Sequence, residues 1–328
     1  MFIVILVYGI IKCKRGYKPM MVKKVLLLVD GSYVSFVINY RAFKSWSQQY
    51  QSMDTCVIRS PEESDQDNLP DLVNESRWFK KCLHNATVDK LNGIATIIEN
   101  ATGLLYPNTT LVDTIIAKDS KLSKSFRYSL YPEYKLTRKI QRSKRGQYKI
   151  GPVFDELYTH AFPEVFGEHT VQLSVDGAEG DDIIASIALS QRIAEEYEKI
   201  ILISSDRDFL QLQIDRNVSQ YDAKGELVVP HIKTTNNEIV NITPKQALMI
   251  KIISGDSSDN IKPIKPKIGE NRAYKYITEN FDGFKKMLKE EPETAEHFIL
   301  NSKLIDFKNI PVELSQKIVD EFYNLRDW

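Results

Sequence analysis

The 328-residue chain has little to support thiol, zinc or membrane chemistry. Its three cysteines, Cys13, Cys56 and Cys82, are far apart and show no metal-ligand spacing. They are too few for a disulfide framework, which excludes a stapled secreted scaffold and points to a reducing compartment. The five histidines, His84, His160, His169, His231 and His297, are scattered, so a histidine-built zinc site is not expected. The apolar opening, MFIVILVYGII, is eleven residues long. That is too short to span a bilayer. Basic residues follow it, where a secretory signal would place them in front. There is no internal repeat, no low-complexity segment and no net charge, with 44 basic residues against 44 acidic ones.

The charge is balanced overall but segregated locally. Lys121 to Lys149 holds ten basic residues and one acid, a local charge of +9. Asp54 to Asp71 holds six acids against Arg59, a local charge of −5. A chain that handles a polyanion and also a metal needs such a separation.

The acids are most informative where strands end. KIILI at 199–203 is a short apolar run rich in β-branched residues, the pattern of a strand buried in a parallel sheet. Two serines close it, and Asp206 and Asp208 follow. VLLLV ends at Asp30, and LVDTIIA runs into Lys118 and Asp119. TVQLSV runs into DGAEGDD with Asp176, Glu179, Asp181 and Asp182. One such Asp alone would be a helix N-cap or a turn. Four strands ending in acid on one edge of a parallel sheet, where ligands bind, predict a cation site. Carboxylates that close would otherwise repel and stay partly protonated. Oxygen donors without cysteine or histidine suit Mg²⁺ or Mn²⁺.

Along the chain, residues 1–20 are taken as a doubtful N-terminal extension, with the true start at Met20 or Met21. The spacing predicts a helix over 31–53 with Phe36, Val37, Tyr40 and Phe43 on one face, and a loop over 59–71. One or two helices follow from Asn74 to about Asn100. In 120–150 basic residues alternate with Phe126, Tyr128, Tyr131, Tyr134 and Tyr148. Such a segment neutralises phosphates and stacks on unpaired bases. A helix is expected from Phe154 to Phe166, an amphipathic one after EGDD, and a hairpin in NVSQYDAKGELVVPH with Lys224 and Gly225 at its turn. Thr243 and Pro244 open a helix that stops at Gly255. Beyond it Asp256 and Asp259 lie three residues apart, and the rest is helical.

Six motifs, VDGS, AKDS, FRYSLYPEYKLTR, EGDDIIA, SSDRDF and SGDSSDN, stand in this order over residues 25–275. Together they resemble the 5′-nuclease family of flap endonucleases and 5′→3′ exonucleases. The late segment KLIDFKNIP is similar to the phage branch called ribonuclease H, a 5′-nuclease without the RNase H fold. The resemblance implies an α/β, PIN-like fold with a mostly parallel central sheet flanked by helices. A C-terminal helical region would contain a helix-turn-helix variant that binds duplex DNA. The implied domains are an α/β nuclease domain over 21–242, with a basic arch at 120–150, and a helical region over 243–328.

The family's pattern places Asp30, Asp119, Glu179, Asp181 and Asp182 around one Mg²⁺ or Mn²⁺. It places Asp206, Asp208, Asp256 and Asp259 around a second. Lys135 would reach the scissile phosphate, with Arg138 one turn on, so Asp30, Asp206, Lys135 and Arg138 carry the catalytic assignment. Arg127, Tyr134, Arg142, Lys144, Arg145, Lys262, Lys265, Lys267 and Arg272 carry nucleic-acid contacts. Before Gly269 the chain reads KPIKPK, where the family usually has two glycines, a departure that weakens any claim of a potassium site there.

The implied substrates are branched or nicked duplex DNA and RNA–DNA hybrids with a 5′ end, cut to remove primers or flaps. A single-stranded-DNA-binding protein or a sliding clamp is the expected partner. The expected state is a monomer, off the membrane and cytoplasmic, in the host cell if phage-encoded. The alternatives are a non-catalytic DNA-binding relative and a single-strand ribonuclease of the wider PIN-like class. An aspartate-based phosphatase is disfavoured, because it needs Asp-x-Asp after the first strand, where this chain has Asp30, Gly31 and Ser32.

Overall fold

A computed structural model describes residues 23–56, 69–102, 110–120, 125–136, 148–166, 170–214 and 217–326. The expectations for 1–20, for most of the 59–71 loop and for Arg138, Arg142, Lys144 and Arg145 lie outside them.

In chain order the first half runs β1 (Lys23–Asp30), α1 (Gly31–Gln49), α2 (Leu72–Glu75), α3 (Arg77–Thr102), β2 (Thr110–Ala117) and α4 (Phe126–Leu130). Next come α5 (Gly151–Glu156), a π-helical turn (Leu157–Ala161), α6 (Phe162–Phe166), β3 (Thr170–Leu173), α7 (Gly180–Leu189) and α8 (Gln191–Glu196). Then follow β4 (Lys199–Ile203), a 3₁₀ segment (Arg207–Gln213), β5 (Val218–Tyr221) and the hairpin β6 (His231–Lys233) and β7 (Ile239–Asn241). The chain closes with α9 (Pro244–Ser254), α10 (Glu270–Thr278), α11 (Phe281–Glu290), α12 (Pro292–Ile305) and α13 (Val312–Arg326).

Five strands form one parallel sheet in the order β3-β2-β1-β4-β5. β1 is central and apolar on both sides, as a strand covered by helices on two faces must be. Val25, Leu27 and Val29 join Val34, Ile38, Trp46, Phe79 and Ile94 of α1 and α3 in one core. Leu26 and Leu28 face the other way, onto Ile183, Ile184 and Ile187 of α7 and Ile318 and Phe322 of α13. The period of two along β1 thus splits one strand between two cores.

Packing crosses the boundary drawn at 243 in several places. α13 returns to the sheet, whereas Ile232 of β6 packs with Ile250, Ile253, Ile264 and Phe284 of the C-terminal helices.

The buried face of α1 is Val34, Ile38, Ala42 and Trp46. Phe36 and Tyr40, of the other stripe at helical spacing, are 44% and 66% exposed, and Phe36 packs edge-on against Phe154. Both stripes have helical spacing, and the one with β-branched residues and Trp46 turns toward the sheet. Helix α9 begins as its sequence requires, with Thr243 and Gln246 forming a reciprocal cap and Pro244 at the first position. It stops at Gly255, whose φ of 72° L side chains avoid and whose Cβ position would meet the Lys262 carbonyl at 2.6 Å.

Candidate active site at the carboxyl edge of the sheet

β1, β2, β3 and β4 all end on the same edge, so their acids collect there. Asp30 closes β1 and caps α1: its Oδ1 accepts from the Tyr33 backbone N–H at 2.9 Å and its Oδ2 from Ser204 Oγ at 2.8 Å. Asp119, after β2, accepts from Ser32 Oγ at 2.8 Å and from the Gly180 N–H at 2.7 Å. The N-terminus of α7 is therefore tied to β2. Gly31 leaves no room for a side chain here, since a Cβ would lie 2.6 Å from the Ala117 carbonyl and closer still to the Tyr158 hydroxyl. This close approach sets Asp30 beside β2.

Two cationic centres sort the remaining acids. Lys135 Nζ lies 2.8 Å from Glu179 Oε2 and 3.9 Å from Asp259 Oδ2. The Tyr134 hydroxyl donates to the same two groups, at 3.0 and 3.2 Å. Lys251, on α9, contacts Asp208 and lies 2.9 Å from Asp256 Oδ2. Asp256 is further held by Ser258, through its backbone N–H at 2.8 Å and its Oγ at 2.7 Å. Asp206 caps the 3₁₀ segment by accepting from the Asp208 N–H at 2.9 Å.

Two of the acids have neighbours that cut across the expected division. Asp259 shares Lys135 and Tyr134 with Glu179. Asp182 is fully buried and paired with Arg127 at 2.5 Å, with its other oxygen accepting from the Glu179 N–H at 3.0 Å.

The nucleic-acid roles assigned to Arg127 and Tyr134 are corrected. Each is 3% exposed. Arg127 pairs with Asp182 and donates from Nε to the Leu304 carbonyl at 2.8 Å, and Tyr134 packs against Ile252, Ile261, Leu304 and Ile305. They bind the foot of the basic segment to the carboxylate edge and to the C-terminal helices. The Lys135 N–H, at a φ of 55°, extends this seam by donating to the Asp259 carbonyl at 2.9 Å. Among the C-terminal cations, Lys265 is bonded to both oxygens of Glu291 at 2.8 Å, and Lys262 lies 3.4 Å from Glu133. Lys267 and Arg272 are exposed.

Burial and crowding disfavour ionisation on this edge. Asp30 is pushed up to about 6, chiefly by burial, against hydrogen bonds from Tyr33 and Ser204 and with Asp119 and Asp206 adding repulsion. Asp208 is also pushed up to about 6, by burial that outweighs Lys251. Asp181 is held well above the ordinary range by burial and by Asp206, Asp30 and Glu179, opposed by Lys135. Asp256 goes the other way: burial opposes ionisation, but Lys251 and Ser258 lower it.

The donor set fits a hard divalent cation: every side chain offers oxygen, and Glu179 Oε1 is buried without a hydrogen-bond partner. Lys135 and Lys251 supply positive charge among the acids. As the side chains stand, no three His, Cys, Asp or Glu among the described residues are arranged to hold an ion.

Lys251, Ser204 and Tyr158 escaped the sequence reading. Lys251 had one visible signal, a lone charge inside the apolar run ALMIKII. Ser204 and Tyr158 had none, being ordinary core-type positions until the strands are aligned.

A family model described as the 5′-3′ exonuclease N-terminal, resolvase-like domain matches residues 76–246, just over half of the chain. The chain belongs to the 5′-3′ exonuclease family. Among curated relatives, a 5′-3′ exonuclease of Buchnera aphidicola is 30% identical over 197 residues, covering 57% of this chain and 63% of that protein. A 5′-3′ exonuclease of Bacillus subtilis is 34% identical over 208 residues, covering 62% and 65%. DNA polymerase I of the same organism is 30% identical over 190 residues, covering 56% and 20%. The chain thus spans less than two thirds of the length of these relatives. The fold of this 5′-3′ exonuclease family member matches a solved structure of phage T5 5′-exonuclease with bound zinc. That match has a TM-score of 0.56 at 19% identity and covers 92% of this chain and all of the other. Among the described residues no helix is long and apolar enough to cross a membrane.

Proposed function

We propose that this chain is a divalent-metal-dependent 5′→3′ exonuclease and flap endonuclease that hydrolyses phosphodiesters near 5′ ends of DNA and of RNA–DNA duplexes. The observation that carries the proposal is the meeting of acids from β1, β2, β4 and the α7 N-terminus on one sheet edge, with Asp30 and Asp208 held near 6 by burial. A structural role would not call for so many carboxylates whose ionisation the fold itself opposes.

The groups that would hold the cations are Asp30, Asp119, Glu179, Asp181, Asp206, Asp208, Asp256 and Asp259. Asp182, paired with Arg127 in the interior, is left out of this set. Two bound Mg²⁺ or Mn²⁺ ions would supply an activated water and neutralise charge on the attacking and leaving oxygens. Lys135 and Lys251, between the acids, are placed to pair with phosphate once the carboxylates have other partners. Lys135 also joins the site to the basic segment. Among the described residues no serine, cysteine or histidine is framed as a nucleophile on this edge.

The DNA substrate is supported by family membership and by the +9 segment that contains Lys135. A phage T5 flap endonuclease has been solved with DNA and metal ions, and it shares this fold with a TM-score of 0.52. The test uses a 5′-labelled RNA–DNA hybrid, a nicked duplex and a 5′ flap, each with Mg²⁺ and with chelator. Short 5′ products in Mg²⁺ alone support the proposal. Products in chelator, or none on any substrate in Mg²⁺, refute it.

A further inference from the structure

The turn that carries Asp206 and Asp208 is held from beneath by a side chain outside the acidic cluster. Gln220, in β5, is 0% exposed and pairs in register with Leu202 of β4. Its Nε2 donates to the Ser204 carbonyl at 2.9 Å and to the Asp206 carbonyl at 2.6 Å. Both neighbours only accept, so the amide nitrogen must face them. The two carbonyls flank the point where β4 becomes the 3₁₀ segment. Asp206 sits there in extended conformation, at φ −67° and ψ 124°, with its carboxylate capping Asp208. From above, Ser204 Oγ accepts from the Asp206 N–H at 3.1 Å and donates to Asp30 at 2.8 Å.

The clamp has a cost. Gln220 Oε1 is buried without a hydrogen-bond partner. A buried unsatisfied carbonyl is destabilising, and an apolar side chain of similar shape would avoid it. What a glutamine provides here, and Leu or Met would not, is a simultaneous hold on two backbone carbonyls. Gln211 is the natural comparison: it too is buried, in the same 3₁₀ segment, and makes two hydrogen bonds. Its Nε2 donates to the Ile305 carbonyl at 3.1 Å and its Oε1 accepts from the Phe307 N–H at 2.8 Å. Those bonds point to the C-terminal helices and not to the acids.

We infer that Gln220 is a positioning residue of the carboxylate edge: by clamping the Ser204 and Asp206 carbonyls it fixes the direction in which Asp206 and Asp208 meet a divalent cation. The inference rests on the metal-dependent function proposed above. Groups that orient metal ligands from behind typically contribute about 10- to 100-fold to metal affinity.

The test compares full-length Gln220→Met and Gln211→Met. Mn²⁺ binding without DNA is read from the free-ion resonance signal, and thermal melting is followed in parallel. Both variants lose two hydrogen bonds and should melt lower. Only Gln220→Met should bind Mn²⁺ about 10- to 100-fold more weakly. Gln220→Asn, one methylene too short to reach both carbonyls, is the second variant and should show an intermediate loss even if Gln220→Met melts too low to assay. Equal Mn²⁺ affinities for the Gln220 and Gln211 variants overturn the inference alone, provided that the unsubstituted protein binds Mn²⁺ and Asp206→Asn binds it poorly. If the unsubstituted protein binds no Mn²⁺, the metal reading falls and the inference with it.

Discussion

Removing divalent cations should make this protein less stable as pH rises from 5 to 7, contrary to the usual behaviour of ion-paired acids. Asp30 and Asp208 ionise near 6 in the fold, against an ordinary 3.8. Below 3.8 both states hold these protons, and stability does not depend on them. Between 3.8 and about 6 the unfolded chain has released them while the fold retains them, so each increment of pH favours unfolding. Above about 6 both states are ionised and the loss is complete. A displacement from 3.8 to about 6 corresponds to about 3 kcal/mol for one isolated group. Less than half of this is lost between pH 5 and 7, and partial solvent access reduces it further, so about 1–2 kcal/mol is expected for the pair together over that range. At roughly 2–4 °C per kcal/mol for a chain of this size, the melting temperature should fall by on the order of 3–6 °C.

Acids lowered by the fold do not mask the effect. Glu196 is lowered to about 2, with burial opposed and outweighed by hydrogen bonds from Arg326, Lys24 and Tyr323. Its contribution is therefore fully present above its ordinary 4.5, outside the window. The assay is thermal melting in chelator at pH 5.0, 6.0, 7.0 and 7.5, with Asp30→Asn and Asp208→Asn as variants that should each flatten the curve. Saturating Mn²⁺ should stabilise the protein more at pH 7.5 than at pH 5.0. A chelated melting temperature that is flat or rising from pH 5 to 7 refutes the claim that burial strains these carboxylates.

Three further outcomes follow from particular contacts. Arg127→Met strands Asp182 as a buried uncompensated charge, so denaturant unfolding should show a loss of about 3–5 kcal/mol, with much of it recovered in Arg127→Met/Asp182→Leu. Gly31→Ala forces a methyl group against the Ala117 carbonyl and Tyr158, and should cost about 1–3 kcal/mol in the same assay while lowering turnover through Asp30. Lys135→Ala should lose about 10²–10³ in single-turnover rate if its ammonium meets charge that develops in the transition state, and little DNA affinity. Lys144→Ala should do the reverse, and similar profiles would remove the catalytic role of Lys135.

The layout of the fold was legible because buried parallel strands are written as unbroken apolar runs and because acids follow four of them. The α9 start at Thr243 and Pro244 and its stop at Gly255 were equally plain, since capping and positive φ are local properties. Choices that depend on tertiary neighbours were not legible. Phe36 and Tyr40 have the same helical spacing as Val34, Ile38 and Ala42, and only the position of the sheet decides between them. Tyr134 and Arg127 look like nucleic-acid contacts in a basic, aromatic segment. Burying Arg127 requires Asp182 and Leu304 as partners, 55 and 177 residues away, and burying Tyr134 requires Glu179 and Asp259, 45 and 125 residues away. The β6–β7 hairpin was missed because its strands are three residues long and its packing partner is a helical layer downstream.

The central claim is that the carboxylate edge holds the metal on which hydrolysis depends, separately from DNA affinity. The direct measurement is single-turnover cleavage of a 5′-flap substrate in Mg²⁺, with the dissociation constant for the same DNA measured in Ca²⁺, for the unsubstituted protein and for Asp206→Asn. The account predicts cleavage that disappears in chelator and in Asp206→Asn, with melting temperature and DNA affinity retained. Cleavage that persists in excess chelator, or an Asp206→Asn variant that turns over normally, would contradict it.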